Sequence, residues 1–212
     1  MQKNLLLILF IVTCSHVFSQ QTAVVKKTGK EVLLMEDGTW IYAPEEQGNT
    51  SSEIAAIYSK PKDAKYVMES KRINYGIWLN KNKWICSDTE KDQTNPTEFK
   101  FRLMGEDAYA MTIAERIEVQ IDTLVKIAFQ NAVDAAPDVK LIKDEWRKVN
   151  GVDLRFLQME GTISGIRFVY LGYYYSDKNG SLQFLTYTSS NLLARYRSEM
   201  ESLLNGLVIM DK

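Results

Sequence analysis

The chain has 212 residues, of which 26 are basic, 27 are acidic and one is a histidine, giving a formal net charge of −1. This balance argues against nucleic acid or an acidic membrane surface as a partner. A chain of this length suits one main domain with a small appendage.

The first 19 residues predict a secretory signal peptide. Lys3 provides a positive end, residues 5–12 form an apolar segment, and Val17-Phe18-Ser19 provides a small-residue cleavage site. We therefore predict export to the periplasm or the extracellular space, with a mature chain that begins at Gln20. No later apolar run reaches the length of a membrane helix, so we predict no transmembrane helix in the mature chain.

Cleavage after Ser19 would remove His16 and Cys14 and leave Cys86 as the remaining cysteine. It would also remove Lys3, so the mature chain would have 25 basic and 27 acidic side chains. Catalysis by Ser-His-Asp or Cys-His, histidine metal sites and a disulfide framework are then excluded. We predict no cofactor and no metal, and interpret Cys86 as a buried thiol, with a reactive thiol as the alternative. The alternative to secretion is a lipoprotein signal at Cys14, which the preceding residue, threonine, fits poorly.

Residues 20–44 predict a small β-meander. Three short strands, 23–27, 31–35 and 40–42, are separated by turns that contain Gly29 and Gly38. The segment from Val32 to Tyr42 resembles the VLLxDDGTWxY segment found near the N terminus of many secreted proteins of Bacteroidetes bacteria. That resemblance implies compartment and lineage.

Residues 45–63 predict a linker that contains one short helix. Thr50-Ser51-Ser52-Glu53 forms a capping box ahead of an apolar group, Ile54, Ala55, Ile57 and Tyr58. The main domain, residues 64–212, begins after this linker.

The main domain opens with extended segments at 66–71, 75–79, 84–87 and 97–104. In the last of these, phenylalanines alternate with charged residues, which predicts one buried and one solvated face. On the following strand Tyr109, Met111 and Ile113 are predicted to face inward. The apolar spacing then changes to a helical period over residues 115–135.

Four further strands, at 139–148, 152–160, 166–176 and 182–188, precede a last helix with an apolar stripe and Gly206 at its end. Segment 166–176 is apolar at both parities, which predicts the centre of a sheet with layers above and below it. Asn179-Gly180 predicts a two-residue turn after it. In that register Gly172 would face Tyr187, giving Tyr187 a structural role.

The order of strands, helix, four strands and helix predicts an α+β fold: an antiparallel sheet with a long middle helix and a C-terminal helix packed on it. This order, over residues 66–210, resembles the PsbP-like (Mog-like) family. The closing pattern carries the resemblance: Tyr173-Tyr174-Tyr175, Gly180, Gln183, Thr186-Tyr187-Thr188 and Leu203-Leu204-Asn205-Gly206-Leu207. The resemblance implies a module that docks on other proteins, and it carries over no functional residue.

Two groups of residues are candidates for binding. One is a tyrosine cluster, from which Tyr173 and Tyr175 are the binding candidates, with sheet packing as the alternative. Its members are Tyr170, Tyr173, Tyr174, Tyr175 and Tyr187. The other is Glu115 and Arg116, which with nearby acids could form a cation site. The alternative is helix N-terminal carboxylates with a surface ion pair. The nearby acids are Glu106, Asp107 and Glu118.

These observations favour a secreted, non-enzymatic α+β module that binds an envelope protein or assists envelope assembly. The alternatives are a small-ligand carrier, which requires a deep apolar cavity, and an envelope enzyme that uses carboxylates. Glu160 and Asp144-Glu145 are the carboxylates available for such an enzyme.

Overall fold

The structure is a computed structural model that describes residues 57–88 and 96–210, together with the backbone of three short strands nearer the N terminus. The predicted signal peptide, its cleavage site and Cys14 lie outside the described residues. The chain divides into two compact units, Met1–Thr50 and Ser51–Lys212. Each unit is described by itself.

The N-terminal unit contains a three-stranded antiparallel sheet, as the sequence predicts. Its strands are β1 (Thr22–Val24), β2 (Glu31–Leu34) and β3 (Trp40–Tyr42), in that spatial order. Val24 pairs with Glu31, and Leu34 pairs with Trp40.

The second unit is built on an eight-stranded main sheet, flanked by two helices and a separate small sheet. The strands before the first helix are β4 (Ile57–Tyr58), β5 (Tyr66–Glu69), β6 (Tyr75–Leu79), β7 (Trp84–Asp88), β8 (Thr97–Leu103) and β9 (Ala108–Glu115). The later elements are α1 (Ile121–Ala135), β10 (Lys140–Val149), β11 (Val152–Ile163), β12 (Ile166–Asp177), β13 (Gly180–Ser189), a 3-10 turn (Ser190–Leu192), α2 (Leu193–Leu204) and β14 (Leu207–Ile209).

The main sheet has the order β4-β10-β11-β12-β13-β9-β8-β7, and the small sheet has the order β14-β6-β5. Neighbouring strands of the main sheet pair antiparallel, except β4 and β10, which pair in parallel. The predicted α+β class, with a middle helix and a C-terminal helix, is confirmed.

Strand β12 lies inside the sheet and is covered on both sides, as its apolar residues at both parities predict. Tyr173 is fully buried in the larger core, which also contains Met200 of α2. Tyr174, the next residue, is buried in a smaller core with Leu124 of α1. We call these two sides of the main sheet the α2 side and the α1 side.

The predicted register of the β12–β13 hairpin is wrong by two residues. Asp177 pairs with Gly180, so Lys178 and Asn179 form the turn, and Tyr187 pairs with Tyr170. The Asp177 carboxylate accepts the backbone N–H of Asn179 at 2.7 Å, which closes the turn one residue earlier than the Asn-Gly signal indicates. Gly180 then begins β13 with a φ of +144°, a backbone conformation that favours glycine.

Gly172 pairs with Leu185 in the observed register, and the leucine takes the place predicted for a tyrosine ring. A Cβ at Gly172 would lie 2.6 Å from Leu185 Cδ2 and 3.1 Å from Tyr174 Cε2. Glycine is therefore required here because two side chains pack over its backbone.

The larger core joins the main sheet to α2 and the small sheet. It combines rings and aliphatic chains from β6, β8, β12 and β13 with the buried stripe of α2. That stripe is Tyr196, Met200, Leu203 and Leu204, as predicted. Gly206 ends α2 where the backbone of Trp78 leaves no room for a Cβ, and its carbonyl accepts the Trp78 N–H at 2.8 Å.

Helix α1 begins at Ile121, six residues later than predicted. Strand β9 continues through Glu115, which pairs with Ser181. The Val119 N–H then donates to Ser176 Oγ at 3.0 Å, and Ile117 is 61% exposed. The sheet pairing and this hydrogen bond hold the connection in a non-helical conformation.

The predicted helix in the linker is wrong for the linker residues that the structure describes, which begin at Ile57. Ile57 and Tyr58 form β4, which pairs in parallel with Lys148 and Val149 of β10. The Asn150 N–H donates to the Tyr58 carbonyl at 3.0 Å and extends the pairing. Edge hydrogen bonds thus outweigh a local helical signal. The capping box lies outside the described residues.

Candidate functional site

The prediction for the faces of β9 is reversed in the structure. Ala108, Ala110 and Ala114 are at most 2% exposed on the α2 side. Tyr109 and Met111 are half-buried on the α1 side, and Ile113 is likewise half-buried there. Small residues face the larger core because phenylalanine rings from β8 and β13 already fill the space beside them. These rings are Phe99, Phe101 and Phe184.

Three tyrosines stack across neighbouring strands on the α1 side of the sheet. Tyr187 pairs with Tyr109 on one side and Tyr170 on the other. The ring centroids are 5.6 Å apart in both pairs, with interplanar angles of 22° and 30°. We call Tyr109, Tyr187 and Tyr170 the tyrosine ladder. Phe168 continues the aromatic row at 6.4 Å from Tyr170.

Helix α1 lies beside the ladder and packs on β11 and β12. Its buried residues, Leu124, Val125 and Ala128, contact Leu157 and Tyr174 of those strands. The three ladder tyrosines are half-buried. The helix therefore covers one half of the α1 side and leaves the ladder at the border of the other half.

We call the second half the open face; it is the α1 side of β7, β8 and β9, with Leu185 and Tyr187 of β13 and Tyr170 of β12, whereas Ser181 and Gln183 at the start of β13 are buried. Its apolar members beside the ladder are Ile85, Met111, Ile113 and Leu185. Lys100 and Arg102 of β8 are exposed and pair with Met111 and Tyr109 respectively. Neither cation has an ion-pair partner among the described residues. The open face therefore combines apolar surface with uncompensated positive charge.

Stacking uses both faces of Tyr187 and one face each of Tyr109 and Tyr170, so the central ring presents its edge and its hydroxyl. The Tyr109 hydroxyl donates to Asp107 Oδ1 at 3.3 Å. The hydroxyls of Tyr170 and Tyr187 have no hydrogen-bond partner within the described part of the chain. Burial raises the pKa of Tyr170, with Tyr187 adding to the effect, and raises the pKa of Tyr187, with Tyr109 adding. Both hydroxyls therefore stay protonated and can donate at neutral pH.

The two tyrosines predicted as binding candidates lie on the opposite side of the sheet. Tyr173 is 0% exposed, and its hydroxyl donates to Asn205 Oδ1 at 2.7 Å. Tyr175 is half-buried against the edge of the larger core, and its hydroxyl donates to Asp177 Oδ2 at 3.2 Å. The structure thus separates the predicted cluster, and Tyr170 and Tyr187 join Tyr109 instead.

Tyr109 was missed as a candidate because its large side chain alternates with alanines, which favoured an inward position. The informative signal is the run of small residues at the other parity of β9. A strand with one wholly small face can lie against a crowded core, which leaves its large residues to the other face.

Glu115 and Arg116 are exposed and do not meet the other predicted acids. The Arg116 guanidinium donates to the carbonyls of Arg72 at 2.9 Å and Lys71 at 3.3 Å. Glu106 lies beyond the other end of β9. The eight residues of this strand separate Glu106 from Glu115 by about 25 Å. The predicted acidic site is therefore not assembled, and Arg116 ties β9 to the turn before β6.

The carboxylates considered for catalysis also lie apart. Glu160 accepts from Ser190 Oγ at 2.8 Å and pairs with Arg167 on the α2 side. Asp144 pairs with Arg155 on the α1 side. The Ser190 hydroxyl, followed by Arg167, lowers the pKa of Glu160, the opposite of what a general acid needs.

Within residues 57–88 and 96–210 no group of three acidic or cysteine side chains could hold a metal ion. In the same part of the chain, no helix is both long and apolar enough to cross a membrane. Cys86 is half-buried and packs against the larger core.

Two shallow depressions flank the turn between β6 and β7 and open to solvent. Polar and charged groups line them alongside Tyr66, Trp78 and Leu79. These groups are Asp63, Lys65, Asn80, Lys81, Asn82, Lys83, Glu199 and Ser202, and the first depression is also lined by Pro61, Ala64, Trp84 and Leu203. Neither depression is the enclosed apolar pocket that a small-ligand carrier requires.

No protein-family model and no curated protein matches the chain. Among solved structures, it is similar to cyanobacterial PsbP (CyanoP) from Synechocystis sp. PCC 6803, at 17% identity and a TM-score of 0.50, covering 68% of this chain and 91% of that one. It is also similar to PA94, a Pseudomonas aeruginosa protein of unknown function, at 10% identity and a TM-score of 0.44, covering 85% and 97%. LpqN of Mycobacterium tuberculosis, involved in cell envelope biogenesis, aligns at 11% identity and a TM-score of 0.39, covering 73% and 82%. At these identities the likeness concerns the fold, and the chain has a PsbP-like α+β fold.

Proposed function

We propose that this chain is a non-enzymatic module that binds a protein partner through the open face. The observation that carries the proposal is the tyrosine ladder, three stacked and half-buried rings beyond the edge of α1. Tyrosine is favoured at interfaces because it buries a large area at a small entropic cost and offers a polar tip. In the ladder, two such tips have no partner among the described residues.

A binding surface fits the open face better than a catalytic site does. Its side chains lie on neighbouring strands and form a broad surface rather than a cleft. The carboxylate that contacts the ladder, Asp107, already accepts a hydrogen bond from the hydroxyl of Tyr109. Chemistry on a substrate would need convergent titratable groups, whereas contact with a partner needs apolar area and hydrogen-bond donors.

The stacked geometry favours a protein over a sugar or a nucleobase. Sugars and bases bind flat against the face of an aromatic ring. In the ladder the faces of Tyr187 contact Tyr109 and Tyr170 instead. The ring edges and hydroxyls that remain suit side chains and backbone carbonyls.

Export extends the proposal to the setting in which the module works. The predicted signal peptide would deliver it to the periplasm or the extracellular space, where an envelope protein is the partner that we propose. We also propose that binding of this partner assists assembly of the envelope.

Photocrosslinking tests the proposal with two matched positions. Ile85 is 53% exposed on the open face at β7, one edge of the main sheet, and Ile142 is 49% exposed on β10, near the opposite edge. A photoreactive residue at Ile85 should form an adduct in the producing cell, whereas the same residue at Ile142 should not.

The partner identified in the adduct is then purified and its affinity measured. Tyr187→Ala should weaken binding at least about tenfold, since interface tyrosines often dominate affinity. Unchanged affinity in a folded Tyr187→Ala protein, or an equal adduct from Ile142, would reject the open face as the binding surface.

A further inference from the structure

Resting on the proposed binding role of the open face, we infer that its partner presents an acidic, extended segment. Carboxylates of this segment pair with Lys100 and Arg102 and accept hydrogen bonds from the hydroxyls of Tyr170 and Tyr187. The segment lies across the strands, along the row formed by Arg102 and the ladder.

The charge of the open face selects an acidic partner. Lys100 and Arg102 are exposed neighbours on β8, and neither has an ion-pair partner among the described residues. Asp107 and Glu115 lie at the two ends of β9 and carry negative charge, so the positive charge is local to β8, where Lys100 and Arg102 lie. A positive patch inside a chain of net charge −1 is complementary to a local negative segment.

Three side chains along the row, Arg102, Tyr170 and Tyr187, have hydrogen-bond donors to offer, whereas the Tyr109 hydroxyl already donates to Asp107. Arg102 pairs with Tyr109, which pairs with Tyr187, which pairs with Tyr170. Guanidinium groups donate and cannot accept, and carboxylates accept and cannot donate. The exposed edges of aromatic rings are also positive relative to their faces. Arg102, Tyr170 and Tyr187 are therefore complementary to carboxylate and carbonyl oxygens.

The dimensions of the row fit a short extended peptide. Four neighbouring strands place Arg102 and Tyr170 three strand spacings apart, about 14 Å. About four extended residues span this length. The apolar side chains in the next row, Met111 and Leu185, then meet alternate residues of the segment.

Titration of the isotope-labelled exported protein with three matched peptides tests this inference. Glutamate, glutamine or lysine alternates with valine in the probes, and backbone amide shifts report where each one binds. We expect the glutamate peptide to shift amides of β8, β9 and β13, and to bind at least about tenfold more tightly than the glutamine peptide. The lysine peptide should not bind, and added salt should weaken the glutamate complex.

Charge reversal sharpens the test. Lys100→Glu with Arg102→Glu should abolish binding of the glutamate peptide and confer binding of the lysine peptide. The control is Lys62→Glu with Lys178→Glu, which changes the net charge equally at exposed lysines outside the open face and should leave the affinity within about twofold of the parent.

The outcomes separate this inference from the proposed function. Equal binding of the glutamate and glutamine peptides at the open face would overturn the acidic partner and leave a protein-binding surface in place. Amide shifts confined to strands outside the open face, or no binding by any peptide, would overturn the inference of an acidic partner. The Ile85 crosslinking experiment tests the binding role of the open face independently.

The acidic residues of the chain's own linker, Glu45 and Glu46, are a competing occupant. Glu45→Gln with Glu46→Gln should leave the affinity for the glutamate peptide unchanged. Tighter binding in this variant would assign the open face to the linker and overturn the inference of an external partner.

Discussion

The two sides of the main sheet are made by the same strands, yet they are covered very differently. The α2 side is closed by a helix and a small sheet, and Tyr173 there is 0% exposed. Among the described residues, the α1 side is covered by one helix, α1, which packs on β11 and β12, and the ladder tyrosines beside it are half-buried. The comparison shows that the role of a tyrosine depends on what covers its side of the sheet.

The largest effect that separates the two sides is expected from Tyr173→Ala. This substitution removes a wholly buried ring and leaves Asn205 without its hydrogen-bond donor. We expect a loss of about 3–5 kcal/mol in the free energy of unfolding, the range for large aromatics in cores. Urea-induced unfolding measures the loss, and a value below about 1 kcal/mol would contradict the burial of Tyr173 on the α2 side.

Tyr187→Ala should cost less stability than Tyr173→Ala. The ladder ring is half-buried, so its removal forfeits two stacking contacts and part of its buried area. We expect a loss of about 1–2 kcal/mol in the same urea experiment. A loss as large as that of Tyr173→Ala would place the ladder in a core and remove it from the candidate surface.

Removal of single hydroxyl groups from Tyr173 and Tyr174 should change stability in opposite directions. The Tyr173 hydroxyl donates to Asn205, so Tyr173→Phe should cost about 1 kcal/mol. The Tyr174 hydroxyl is buried without a hydrogen-bond partner, so Tyr174→Phe should stabilise by about 1 kcal/mol. Thermal melts of both variants give the comparison, and two shifts of the same sign would contradict it.

The smallest effect concerns acid pH and Glu160 on the α2 side. The Ser190 hydroxyl and Arg167 lower the pKa of Glu160 in the folded protein. Its stabilising contribution is therefore present above the unfolded pKa, about 4.3, and is lost as the pH falls through the lower folded value. Unfolding measured from neutral pH downward should show a shallower acid loss in Glu160→Gln. An identical pH profile in the parent and the variant would contradict this assignment.

The order of elements in the main domain could be predicted from sequence because alternation and helical spacing are local properties. The solvated face of β8 was predicted from Glu98, Lys100 and Arg102, and the last two are exposed. Glu98 is 3% exposed instead, because it lies at an irregularity in the pairing of β8 with β9 and accepts hydrogen bonds from Ser70 and Tyr75. The buried stripe of α2 was predicted from its 3.6-residue spacing and is confirmed by Tyr196 and Met200. The domain limits, including the signal peptide and the linker, stay predictions.

The candidate site could be predicted only in part. Tyr170 and Tyr187 stood out as members of an aromatic cluster, yet Tyr173 and Tyr175, the residues chosen from it, face the other side of the sheet. Tyr109 was absent from the cluster because it lies on β9, far away in sequence. Its contact with Tyr187 exists only when β9 and β13 pair.

The sequence by itself determined the order of the main strands and both helices of the main domain, apart from the start of α1 and strand β14, and that β12 lies between two packed layers. These features follow from periods of two or 3.6 residues, which neighbouring side chains set along the chain. Tertiary structure decided the register of the central hairpin, the direction in which β9 faces, and the side of the sheet that stays open. The packing of α1 and α2 is set by contacts between residues distant in sequence. The register follows from a turn that Asp177 closes locally on the Asn179 N–H, and from the pairing of β12 and β13 with their other neighbours, β11 and β9.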